Sequence, residues 1–199
     1  MLVDFKIFIF FSFLDTTCRL YSVIVSDFYL EEASPTTELD AFKCYSSWSN
    51  HNDVAQLSTV TGTAYGTVNY GFEQANDGFI CPMYDSHHYF SKRVGYPWLR
   101  FDLHDIKVLK CVRVAVGYKG DSSLSGTYFS HTEIRFGNFS TIFDFDSNVY
   151  LGDSGVSVDS IFEFCPGDDI RGRYLFIRRL TTLSYMRVGE VQITVKNGN

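Results

Sequence analysis

The sequence predicts an all-β fold, a jelly-roll β-sandwich of about eight antiparallel strands. Three observations predict it. Short apolar–polar alternations recur along most of the chain, and Gly, Pro, Asn and Asp clusters separate them. Beyond a single turn near Phe72–Ala75, no apolar pattern repeats with the period of a helix. Many short strands with turn signals between them describe a sandwich or jelly roll.

The clearest strands lie between Pro97 and Gly137. Trp98, Arg100 and Asp102 alternate with Leu99, Phe101 and Leu103. A Val-rich run follows through Val108, Val112, Val114 and Val116, with Leu103-His104-Asp105-Ile106 as a short turn between the two. Tyr118-Lys119-Gly120-Asp121-Ser122-Ser123 has turn chemistry, and Thr132–Gly137 starts another strand. Upstream, Val54–Val60 reads as the first strand of the sandwich. Downstream, Thr141–Asp146, Ser160–Phe164, Tyr174–Leu180 and Tyr185–Val195 read as strands. Their alternation puts Trp98, Phe101, Val112, Val114, Ile134 and Phe176 in the core.

Composition sets the outer limits. The 199 residues are 45% hydrophobic and 17% aromatic, which suits one well-buried domain rather than a disordered chain. A net charge of -6 argues against nucleic-acid binding, which needs a basic stripe. Arg171, Arg173, Arg178, Arg179 and Arg187 do gather toward the C-terminus, but at spacings that fit solvent-facing strand positions. No nucleophile elbow, phosphate loop or His-Glu-x-x-His motif is present, so catalysis is not expected.

The ends of the chain suggest export. Ile7–Leu14 is an apolar run too short to span a bilayer but suited to a signal peptide, giving residues 1–22 as a leader and a mature start near residues 19–23. Residues 23–41, acidic and interrupted by Pro35, read as a flexible segment, and residues 42–197 as the domain. Cleavage would leave Cys44, Cys81, Cys111 and Cys165, an even number suited to an oxidising compartment, with three possible pairings. Cys111, inside the Val-rich run, equally suits a buried thiol. No Cys-x-x-Cys or Cys/His spacing suggests zinc. Asn138-Phe139-Ser140 is an N-glycosylation sequon, so Asn138 is expected to carry a glycan on a secreted chain.

Several of these motifs carry a resemblance. Pro97-Trp98 leading to Asp102-Leu103, a Val-rich strand ending in a basic-x-Asp loop, and Glu133-Ile134-Arg135-Phe136-Gly137 resemble the discoidin-type galactose-binding-like β-sandwich. Within it, the chain is most similar to the F-type, fucose-binding lectins. Phe162–Cys165, Gly172–Ile177 and Gly189–Ile193 extend the match, which runs roughly from Asp53 to Val195. The resemblance implies a non-catalytic, fucolectin-like module that binds fucose or a related sugar, free or on a cell-surface glycoprotein. Carried over by position, His87 or His88 supplies a histidine, Lys119 stands where an Arg is expected, and Asp121 matches. Gly126 replaces a second basic residue, and Lys lacks the two-pronged geometry of Arg, so the implied sugar site is altered. Ser122-Ser123 and Gly189 stand where the family usually carries cysteines.

The resemblance also implies a structural Ca2+. Asp77 and Glu190 match its carboxylates, and carbonyls around Asn76 and Gly78 would complete the six to eight oxygens calcium needs. A discoidin-type adhesion module is the alternative reading. It would bind protein or phospholipid, with Phe79-Ile80 and Tyr89-Phe90 as apolar spikes toward a membrane. A structural extracellular protein without a ligand is the remaining one.

Overall fold

The computed structural model describes residues 7–10, 21–24, 53–66, 70–78, 88–116, 128–156 and 161–196. Strands β1 (Ile7–Phe10) and β2 (Tyr21–Ile24) pair antiparallel in a small sheet of their own. The remaining strands are β3 (Thr59–Gly62), β4 (Tyr89–Phe90), β5 (Trp98–Ala115), β6 (Thr132–Gly137), β7 (Val149–Asp153), β8 (Ile161–Phe164), β9 (Arg171–Arg179), β10 (Arg187–Val188) and β11 (Glu190–Val195). All their pairings are antiparallel.

The architecture turns on β5. The sequence suggests two strands and a turn here, but the structure has one strand of 18 residues with a corner in it. Its first half pairs with β3 and β9, and its second half with β11 and β8. The register against β9 shifts between Asp102 and Lys107. His104 sits in the left-handed region at φ 66, and its N–H donates to the Asp102 carboxylate at 2.8 Å. A strand that changes sheets at such a bend makes the edge of a two-layer sandwich.

The core lies between the two layers. Leu99, Phe101 and Leu103 from the first half of β5 meet Leu109, Val112 and Val114 from the second. Ile134, Phe136, Leu175, Ile177, Val191 and Ile193 complete the centre. Each fully buried side chain of this kind stabilises the fold by roughly 1.5–3 kcal/mol. Of the six core positions expected from alternation, Phe101, Val112, Val114, Ile134 and Phe176 are 0% exposed, and Trp98 is partly buried.

Three expectations are corrected. Thr141–Asp146 alternates like a strand but forms a 3-10 helix, Ile142–Ser147. Thr141 caps it, accepting the Asp144 N–H on its hydroxyl and donating to the Asp144 carboxylate at 2.6 Å. The helix lays Phe145, 1% exposed, over Phe176 on the outer face of the sheet. In the stretch read as the first strand, Val54–Val60, Asp53 accepts the Ala55 N–H at 2.9 Å and starts a 3-10 turn, Ala55–Leu57, so β3 begins only at Thr59. Cys111 is no free thiol. It is bonded to Cys165 across β5 and β8, one position beyond the Val112–Phe164 pair. Cys18, Cys44 and Cys81 lie outside the described residues.

Candidate functional site

The corner in β5 brings its two ends together. Phe162 is opposite Val114 near the end of β5, and its ring lies 5.2 Å from that of Phe129. The next residue, Ser130, accepts from Arg179 Nε at 3.1 Å, and Arg179 N–H donates to Pro97 at the start of β5. Two consecutive residues thus span the two termini of one strand. Tyr128 and Val116, which flank residues 117–127, stand at this end, and so does β4, which follows residues 79–87. The opposite end holds the Leu103–Lys107 corner, the Asp102–Arg173 ion pair and Gly172.

The base of this end is aromatic and cationic. Phe90 stacks on Tyr185 at 5.0 Å, and Tyr128 meets both edge-on. Arg187, only 3% exposed, lies 4.6 Å over the Phe90 ring and 5.2 Å from that of Tyr128. Arg179 donates to the carbonyls of Ser130 and Tyr185 and to the Ser130 hydroxyl. The sequence places both arginines facing solvent. The structure buries them, because loops distant in sequence supply the acceptors and rings that alternation does not show.

The residues expected to hold sugar divide in two. His87, Lys119 and Asp121, with Gly126, lie outside the described residues. His88 is fully buried, and its ring packs 5.1 Å from Tyr70. Tyr89 is buried as well, donating its hydroxyl to Thr63 O at 2.6 Å, and Phe90 belongs to the aromatic stack. The Tyr89-Phe90 pair is therefore not an apolar spike. Phe79 and Ile80 lie outside the described residues. Asn138 is exposed just after β6, toward the corner end and away from the loop bases.

The expected calcium residues do meet. Glu190, 2% exposed, accepts the Gly78 N–H at 3.2 Å and interacts with the Asp77 carboxyl. Gly78 reaches it with φ 85, a conformation glycine adopts without strain. Burial first, then repulsion from Asp77 and Asp53, pushes the Glu190 carboxyl up to about 9, against the pull of the Gly78 hydrogen bond. Asn76 takes a positioning role, its amide donating to Ala55 O at 2.8 Å and Ser58 O at 3.3 Å. Asp53, which the sequence reading passes over, accepts the Ile193 N–H at 3.0 Å and ties this corner to β11. Its position two residues before a turn was the available signal. The Asp77 and Glu190 carboxyls offer hard oxygen donors of the kind calcium takes, from two of the residues its six to eight oxygens would need. Among the described residues, the one group of three or more such side chains with its ligand atoms close together is elsewhere, at Cys111, Glu163 and Cys165. Its two sulfurs are already joined to each other.

No family model and no curated protein matches the sequence. Solved structures do. The serum fucolectin of striped bass, Morone saxatilis, superposes with a TM-score of 0.58 at 18% identity over 75% of this chain. This chain spans 49% of that one, about half its length. The lectin domain of lectinolysin, complexed with Lewis B antigen, gives 0.61 at 13% identity, covering 75% of this chain and 100% of that one. A Streptococcus pneumoniae fucose-binding module gives 0.58 at 14% identity, covering 73% and 98%. The chain has the galactose-binding-like β-sandwich fold that these lectins and modules share.

Proposed function

We propose that this chain is a secreted, non-catalytic carbohydrate-binding module. Its ligand seats at the end of the sandwich where both termini of β5 meet. The observation that carries the reading is that doubling back. It sets the bases of residues 79–87 and 117–127 side by side over aromatic rings and buried arginines. A rigid scaffold with loops at one end is a natural place for recognition. Comparable sandwiches include a lectin domain complexed with Lewis B antigen and a family 32 module complexed with galactose.

In this reading Lys119 supplies the cation, Asp121 accepts a sugar hydroxyl and His87 adds a third polar contact. His88 supports the base from within. Holding a sugar requires donors, acceptors and a ring face, and none of these has to exchange a proton. The ligand is a glycan containing fucose or a related sugar, free or on a cell-surface glycoprotein. Asp77 and Glu190, with carbonyls of the Asn76–Gly78 turn, would hold a calcium ion, which would displace the Glu190 proton and offset the charge of the two carboxylates. Asn138 carries a glycan at the far end, where it leaves the loops open.

A glycan array probed with secreted protein, with and without chelator, tests this. Fucosylated or related neutral glycans should bind, and Lys119→Ala and Asp121→Ala should each lose most of that binding with the fold unchanged. Full binding by both variants would show that the sugar seats elsewhere.

A further inference from the structure

The ligand-facing end carries a second feature on the outer face of the sheet. Arg178, near the end of β9 and opposite Trp98, lies 5.3 Å from the centre of the Tyr96 ring and 5.1 Å from that of Phe145. The side chain is partly buried, and its Nε is buried without a hydrogen-bond partner. Among the described residues its guanidinium forms no hydrogen bond and no ion pair. Four other arginines differ. Arg135 binds Glu133 and Asp146, Arg173 grips Asp102 with two bonds, Arg113 pairs with Glu163, and Arg100 donates to Ser140 O. Glu133 lies opposite Arg178 in the strand register, but its carboxylate is bonded to Arg135. Two rings offset the charge only weakly and provide no in-plane acceptor.

A second, independent observation lies in the backbone. Tyr96, one wall of this arrangement, sits at φ 55, a left-handed conformation that is an outlier for a bulky residue. It is held there by its N–H, which donates to Thr181 O at 2.9 Å, and it remains 44% exposed. Strain of this kind gathers where a side chain must be held for a ligand. Leu180, 45% exposed, follows Arg179 at the same end.

We propose that Arg178, walled by Tyr96 and Phe145, binds an oxyanion on the glycan, so that this module prefers acidic sugars. The inference rests on the carbohydrate-binding reading and adds a ligand class to it. A guanidinium presents parallel N–H donors that match a carboxylate or sulfate, whereas an ammonium is a point charge. The exposed face of Tyr96 beside it suits the apolar side of a sugar ring.

The test uses the full chain and four probes on one scaffold: a glucuronate-terminated glycan, its carboxyl-reduced counterpart, a sulfated form and a neutral fucosylated form. The acidic forms should bind at least tenfold tighter than the reduced one, with a preference that shrinks at high salt. Arg178→Gln should abolish that preference, bringing the acidic forms down to the affinity of the carboxyl-reduced one. Arg178→Lys should retain only part of it, and it guards against misreading a folding defect. Tighter binding of the sulfated form would identify sulfate as the anion, and of the glucuronate form, a carboxylate. If neutral glycans bind and acidic ones bind no better, or if Arg178→Gln keeps the preference, this inference falls alone. If no glycan of any kind binds, the carbohydrate reading falls with it.

Discussion

Glu190 and Arg178 stand at the same end of the sandwich and handle charge in opposite ways. Glu190 is buried beside Asp77, so an acid faces an acid. Arg178 is partly buried between two rings and, among the described residues, forms no ion pair. Other charges are neutralised locally, Asp102 by Arg173 and Glu133 by Arg135. Burial beside a second acid raises the Glu190 carboxyl so that it holds its proton near neutrality, whereas Arg178 lies against two ring faces. In the reading proposed above, the first position takes a cation and the second an anion.

The comparison can be broken by disturbing the neutralised charges first. Arg135→Met should cost about 3 kcal/mol in urea unfolding, because it strands Glu133, which is 8% exposed, and frees the Asp146 and Asn148 carbonyls. Next comes the acidic pair. Calcium at a hundredfold excess over its dissociation constant should stabilise the wild type by about 2.7 kcal/mol. Glu190→Gln should lose most of that response in a thermal shift assay. An equal response in the variant would remove Glu190 from the metal site.

Arg178→Met sharpens the contrast with Arg135. Removing a partly buried charge that no acid compensates should leave stability within about 1 kcal/mol of wild type, on the stabilising side. A loss as large as that of Arg135→Met would make Arg178 a structural cation. The smallest effect concerns pH. The Arg173 hydrogen bond, more than any other cause, holds the Asp102 carboxyl below the usual carboxylate range. Its contribution is complete above the unfolded value of 3.8 and fades as pH falls through the folded one. Asp102→Asn should therefore be less stable than wild type near neutrality and flatten part of the acid-side loss in melting temperature.

Much of the fold was legible in the sequence because period-two alternation reports burial directly. Phe101, Val112, Val114 and Ile134 are buried as expected, and β6 occupies the predicted Thr132–Gly137. Alternation does not report what covers an outer face. Phe145 and Arg178 look like unrelated surface residues until the Ile142–Ser147 turn folds across the sheet. Nor does it show a corner inside a strand, which depends on one positive φ at His104 and a bond to Asp102. The Asp77–Glu190 meeting was legible only through the resemblance, since 112 residues separate Gly78 from Glu190. The buried Arg187 was hidden for the same reason: its rings come from β4 and from Tyr128.

The central claim, that ligand binds where the two termini of β5 meet, is tested most directly by backbone amide NMR during titration with fucose and with a glucuronate-terminated glycan. Shift changes are expected at Phe90, Tyr96, Val116, Tyr128 and Arg178, with the corner from Leu103 to Lys107 unmoved. Changes centred on that corner, or no changes with either sugar, would contradict it.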